Sequence, residues 1–243
     1  FLGTLLISGL CYLVFHLRLT GIFQRWYLPV CTSVALLLAV VSVLLAVIPA
    51  LLLAMMRLSK VKPVKWFAGA YIAVFRSTPM LVQLSIIYFG LFYAISLPRI
   101  SLFGFVDISR FVPGVVALAL NSSAYVAEIF RAGILAVDKG QTEAARSLGL
   151  SSWQSMRLVV LPQAIKNVLP ALANEVVTMV KESSICSVLG MAEIMYTAQT
   201  VSGNSYITLA PYVLAALVYF CINYPAGKAI ELLERRMRRG DVR

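Results

Sequence analysis

Three stretches of this chain carry no charged residue at all: Trp26–Met56, Ser77–Pro98 and Ile194–Gly227. A fourth, Phe1–Leu17, carries only His16. A helix that crosses a bilayer needs about 20 mostly apolar residues, because 30 Å of hydrocarbon divides by 1.5 Å of rise per residue. Runs of this length and purity have no place in a water-soluble domain. They also exclude a transmembrane barrel, whose strands alternate polar and apolar over about ten residues. With 60% hydrophobic residues, above the roughly half of a soluble domain, the whole chain follows the same rule. The expected fold class is therefore an all-α polytopic membrane protein.

The net charge of +11 points first to nucleic acid, but its placement points elsewhere. The basic residues sit in the gaps between apolar runs and at the C-terminus, as in RLSKVKPVK, residues 57–65. That is the pattern that orients a membrane protein with its basic loops in the cytoplasm. No nucleic-acid partner is expected, and membrane lipid is. Cys11, Cys31, Cys186 and Cys221 lie in or beside apolar segments without a CxxC pair, and read as buried thiols. One histidine and no clustered ligands give no metal site.

Taken in order, Phe1–Leu17 reads as a first span rather than a cleaved leader, and 1–28 as that span with its linker. The chain opens on Phe1, so residues upstream are expected. Pro29–Met56 reads as a second span, kinkable at Pro49. Trp66–Arg76 is too short to cross and reads as a helix lying along the interface. Pro79–Ile95, Phe111–Val137, Val168–Leu189 and Pro211–Gly227 read as spans three to six, with Pro170 able to break the first turn of the fifth. Counting places the 138–166 loop and the tail ELLERRMRRGDVR on the same side as RLSKVKPVK.

The loop holds EAARSLGLSSWQSMRLVVLP, residues 143–162. Helix formers fill Thr142–Leu148. Gly149 allows a backbone that side chains oppose, and Ser151 or Ser152 can cap a second helix running to Leu161 before Pro162. Ordering such a loop costs about 1–2 kcal/mol per residue in backbone entropy, which favours a docking platform over a bare connection.

Glu143, Ala144, Ala145, then Gly149, then Val159, Val160, Leu161 and Pro162 resemble the EAA loop of membrane subunits of ATP-binding-cassette (ABC) importers, with Val159 where isoleucine is usual. FRSTPMLVQ (75–83), NSSAYVAEIFRAGI (121–134) and NEVVTMVKESSICSVLG (174–190) are similar to stretches of the polar amino-acid permeases of that class, the histidine, glutamine and arginine type, with Ser77 in place of a glycine. The likeness covers about residues 30–235. It implies a five-helix type I ABC importer permease core over 29–243 plus an extra N-terminal span. The implied function is ATP-driven import of a polar or charged amino acid across the bacterial cytoplasmic membrane, with the EAA loop and C-terminus inside. It implies three partners: ABC ATPase subunits gripping Glu143, Ala144, Ala145, Gly149, Leu161 and Pro162, a second identical or homologous permease, and an extracytoplasmic amino-acid-binding protein. The chain carries no G-x-x-x-x-G-K-[ST] phosphate loop, so it is expected to be non-catalytic, with no cofactor of its own and ATP-Mg held by the partner.

Polar residues inside spans are expensive and default to function. Asn121, Tyr125 and Glu128 share one helical face, as do Glu175, Thr178 and Glu182. Lys181 with Ser183 and Ser184 offers donors to a substrate carboxylate; Asn121 and Glu175 offer acceptors to an ammonium. Counted from Val168, Lys181 falls about 20 Å into the membrane. Two plainer readings stand beside this one: Lys181 paired with a glutamate, and Glu128 paired with Arg131 at a helix end. Arg76 reads as an interface anchor. An ion-gradient transporter or channel using Glu175, Lys181 and Glu182 as relays is the alternative function, and a membrane enzyme lacks a catalytic cluster.

Overall fold

The computed structural model describes residues 27–95, 100–102, 106–206 and 208–238. The expected first span Phe1–Leu17, with Cys11, His16 and Trp26, lies outside them. The described residues are helical apart from a two-rung antiparallel ladder between β1 (Ser101–Leu102) and β2 (Val106–Asp107).

Helix α1 runs Tyr27–Leu58 and passes through Pro49 unbroken. Helix α2, Lys62–Ser77, has proline in its first turn, where the missing N–H has no intrahelical partner to lose. It stops at Thr78, held extended by Pro79 (φ −110°, ψ 144°). Helix α3, Met80–Ile87, continues through a π turn, Tyr88–Phe92, to Ile95. The stretch 80–95 reaches spanning length and apolarity only together with α2, as a span broken at Thr78–Pro79 or a re-entrant pair. The helix expected over 66–76 is longer at both ends, and it meets 80–95 at a bend of 108°.

Helix α4 is Ile108–Leu135, α5 Lys139–Ser147 and α6 Ser152–Ser155. A π turn, Met156–Val160, leads into α7, Leu161–Glu182, which ends in a 3-10 turn, Ser183–Leu189. Helix α8 is Ile194–Ser205 and α9 is Ala210–Arg238. Pro29–Leu58, Ile108–Leu135 and Ala210–Met237 are long and apolar enough to cross a membrane, with the broken pair as a fourth. Helix α7 does not meet that test: at about 33 Å it is long enough, but Asn174, Glu175 and Lys181 make it too polar for lipid on all sides. The helix that holds the expected fifth span begins at Leu161, and it carries Pro170 without breaking.

The chain divides into two compact units, and α1, α4, α7 and α9 contribute to both. The first comprises the chain to Ser42, Pro79–Leu118 and Val177–Ala226. Its core packs Cys31 and Ala35 of α1 against Ile194 and Ala198 of α8 and Ala215 and Val218 of α9. At its centre lies Glu193, fully buried. Its carboxylate caps α8 by accepting from the backbone N–H of Met195 (2.8 Å) and Tyr196 (2.6 Å), and takes the Tyr219 hydroxyl at 2.9 Å. A buried carboxylate is tolerable only when its lone pairs are filled in this way. Gly114 lets α4 approach Leu38, Cys186 and Met191, which a Cβ would meet at 3.1–3.7 Å.

The second unit comprises Val43–Thr78, Ala119–Val176 and Gly227–Arg243. Ala50 and Leu53 of α1, Ala68 and Ile72 of α2, and Ala124, Val126 and Ala127 of α4 form its core. The Tyr71 hydroxyl bonds the Leu120 carbonyl at 3.0 Å and Ser123 at 2.9 Å, tying α2 to α4. Gly133 is where α4 meets α7: a Cβ there would lie 2.4 Å from a Val168 methyl. Of the expected buried thiols, Cys31 and Cys186 are buried and Cys221 is exposed on α9.

Two substitutions test this packing. Gly133→Ala is expected to cost about 1–3 kcal/mol by overpacking, with Val168→Ala in the same chain restoring most of it, read as thermal unfolding of the purified protein in detergent. Glu193→Ala, which strips three hydrogen bonds from a buried cluster, is expected to cost at least about 2 kcal/mol, and Tyr219→Phe about 1 kcal/mol.

Candidate functional site: a capped helical knob and a buried polar pair

The 138–162 segment is an ordered pair of helices. Asp138 caps α5, its carboxylate accepting from the Gly140 N–H at 2.7 Å. At the other end the Leu150 N–H bonds the Ala145 carbonyl (3.2 Å) and the Gly149 N–H bonds that of Arg146 (3.0 Å). That pair of bonds is a Schellman closure, and it requires a left-handed residue at Gly149, whose φ is +86°. Nothing lies within 4 Å of a Cβ built there, so backbone conformation alone selects glycine. Ser151 then caps α6 in a reciprocal capping box: Ser151 Oγ accepts from Gln154 N, and Gln154 Oε1 accepts from Ser151 N. Arg146 donates to Ser152 Oγ across the turn at 2.6 Å, and Gln163 donates to Gln141 at 3.2 Å, fastening α5 to the start of α7.

The expected helix end at Pro162 is absent. The π turn Met156–Val160 shifts the hydrogen bonding so that the Leu161 N–H bonds the Met156 carbonyl, and the chain passes through Pro162 as the second residue of α7. Proline, which has no N–H to give to the preceding turn, sits just after that π turn. The knob is thus continuous with α7. Ala145 is buried, whereas Glu143, Ala144 and Gly149 are exposed. Leu148 at 85% and Trp153 at 70% exposure stand out from it beside Leu158 at 61%.

The second feature is buried within the same unit. Ser122 of α4 donates to Glu175 of α7 at 2.9 Å, with Ser122 fully buried and Glu175 8% exposed. Asn121, also buried, donates to the Phe75 carbonyl at 3.3 Å. Asn121 and Glu175 are thus both buried, the first against α2 and the second against α4, and Ser122 was the residue sequence reasoning missed. Its signal was its place beside Asn121 in the run Asn121-Ser122-Ser123.

Lys181, Ser183 and Ser184 belong to the other unit. Lys181 is exposed and forms no ion pair within 4 Å among the described residues, so its expected glutamate pairing is not found. The Ser183 hydroxyl donates to the Val180 carbonyl and that of Ser184 to the Lys181 carbonyl, both within their own turn. Glu128 and Arg131 pair as the plainer reading had it, at 2.7 Å, with Arg57 a further 3.7 Å neighbour of Glu128. Arg76 lies 5.3 Å over the Tyr125 ring.

Residues 42–239 match the family described as the inner membrane component of binding-protein-dependent transport systems. The chain is 40% identical over 209 residues to the arginine transport system permease protein ArtQ of Bacillus subtilis, covering 86% of this chain and 91% of that one. It is 40% identical over 206 residues to a putative glutamine transport system permease protein, GlnP, of Rickettsia typhi, covering 85% and 90%. Among solved structures it is similar to an amino acid ABC transporter crystallised with histidines, at 46% identity and a TM-score of 0.76, over 86% of this chain and 95% of that one. It shares its fold with the MetNI methionine ABC transporter in inward-facing form, at 19% identity and a TM-score of 0.68 over 87% and 96%. Apolar spans, a polar seventh helix and a doubly capped 138–162 loop are thus the features of a protein that belongs to the binding-protein-dependent transport system inner membrane components, the permease subunits of ABC transporters.

Proposed function

We propose that this chain forms, with a second permease, the translocation path of an importer for a polar or charged amino acid, driven by ATPase subunits on separate chains. The observation that carries the reading is the knob. It is closed at Gly149, boxed at Ser151 and Gln154, and fastened by Arg146 and Gln163, yet it leaves Leu148 and Trp153 bare. Exposed large apolar side chains on an otherwise polar, rigid element mark a protein partner. Because α6, the π turn and α7 are continuous, a pull on the knob moves the helix that carries Glu175, and rigid transmission of this kind is what a rocking mechanism needs.

In this reading Glu143, Ala144, Ala145, Gly149, Leu161 and Pro162 form or support the ATPase contact. ATP and magnesium are bound by the partner, and an external binding protein delivers substrate. The basic residues of 57–65 and of the C-terminal tail support a cytoplasmic knob in a bacterial membrane protein. Relatives named for arginine and glutamine transport support an amino acid as cargo. Glu175, hydrogen-bonded by Ser122 inside the protein, offers a carboxylate to an ammonium group, and Asn121 adds a buried amide. The other expected donors are Lys181 at the end of α7 and Ser183 and Ser184 in the 3-10 turn after it.

Two experiments test this. Gly149→Val places a β-branched residue at φ +86° and is expected to abolish ATP-dependent uptake in proteoliposomes carrying the ATPase partner, by uncoupling or failed assembly; normal uptake, or uptake driven by a proton gradient without the ATPase, contradicts the assignment. Glu175→Gln and Asn121→Ala are each expected to lower uptake of labelled arginine or glutamine about 10-fold or more, and unchanged kinetics in both removes those residues from the path.

A further inference from the structure

A cleft of about 450 Å³ opens in the second unit between α1, α2 and α4. Arg57, Arg76, Ser77, Tyr125 and Glu128 line it, with Gly69 on its wall. Its charges do not balance. Arg131 engages Glu128 through Oε2, at 2.9 Å from Nε and 2.7 Å from Nη2. Arg57 approaches only Glu128 Oε1, at 3.7 Å, beyond hydrogen-bond reach, and its Nε is buried with no acceptor. Arg76 rests on the Tyr125 ring and has no carboxylate within 4 Å among the described residues. Of these three guanidinium groups two therefore lack a hydrogen-bonded anion, and Glu128 Oε1 is left open. A buried guanidinium N–H without an acceptor is costly, and a carboxylate is the planar acceptor that a guanidinium fork fits.

The cleft is also in line with the buried Asn121. On α4, Asn121, Tyr125 and Glu128 share one face at i, i+4 and i+7, and Glu128 lies about 10 Å beyond Asn121 toward the end that leads into α5 and the knob. We propose that the Arg57–Arg76–Glu128 cleft is a second station on the translocation path, in which the two arginines hold the α-carboxylate of a passing amino acid while Glu128 Oε1 accepts from its ammonium. This deepens the amino-acid permease reading and rests on it. A lipid headgroup carrying phosphate and ammonium shares the chemistry, but the alignment with the buried Asn121 on α4 favours the cargo.

The test uses the assembled transporter with its ATPase subunits. Equilibrium dialysis with labelled L-arginine and with L-glutamine is expected to find, for one of them, two sites per permease chain, one lost in Arg76→Gln and the other in Glu175→Gln. In proteoliposomes, Arg57→Gln and Arg76→Gln are expected to raise the half-saturating concentration about 10-fold while Arg57→Lys and Arg76→Lys raise it about 3-fold or less. These shifts should be equal in vesicles of phosphatidylcholine and of phosphatidylethanolamine with phosphatidylglycerol. A single site per chain in the wild type, or unchanged half-saturation in both glutamine variants while Glu175→Gln is impaired, overturns the second station and leaves the permease assignment standing. Shifts that vanish in phosphatidylcholine assign the cleft to lipid and also overturn it. No ATP-driven uptake of either amino acid by the wild type refutes the permease reading itself, and the second station with it.

Discussion

In hydrocarbon no water can satisfy a backbone N–H or C=O, so the chain must close its hydrogen bonds within helices, and the rest of the structure follows from that. It also inverts the packing logic of soluble proteins. On α1 the alanines Ala35, Ala39, Ala46 and Ala50 are fully buried beside the larger Leu38. Other large side chains, Leu44, Ile48 and Leu52, are between 53% and 71% exposed in the isolated chain. Lipid solvates leucine as well as a protein core does, so burying leucine gains little, whereas small residues let helices approach and gain dispersion contacts. Gly114 and Gly133 serve the same end on α4.

Within that frame polar groups are confined to places where a partner exists. Glu193 is acceptable in an apolar core because two backbone amides and Tyr219 fill its oxygens. Glu175 has Ser122, and Tyr71 has Leu120 and Ser123. Helix α7, too polar to face lipid all round, is the helix that carries Glu175 and that runs directly from the knob. The knob and the buried Glu175 thus share one continuous helical element.

The sequence made some of this plain and hid the rest for physical reasons. Helices α1, α4 and α9 were legible because each is a long apolar run. The turn at Gly149 and the cap at Ser151 were legible because left-handed backbone and the Ser-x-x-Gln spacing have few alternatives. The end of the knob was not: Pro162 reads as a terminator, and only the π turn at Met156–Val160, which has no sequence signature, lets the helix pass it. Helix α8 was missed because Gly203, Asn204 and Ser205 near its end resemble loop, and its cap, Glu193, is not a favoured capping residue. The Arg57–Arg76–Glu128 cleft joins residues from three helices, and helical spacing places only Tyr125 and Glu128 together.

The central claim is that the segment from Lys139 to Pro162 is a stiff handle held by a separate ATP-hydrolysing subunit. The most direct test places a photo-crosslinking residue at position 148 or 153 in the full transporter, reconstituted with its ATPase subunits in sealed vesicles of known orientation. The account expects an adduct with the ATPase at both positions, and protection of both from reagents added on the side away from it. Absence of any adduct in a complex that transports, or labelling of either position from the opposite side, would contradict it.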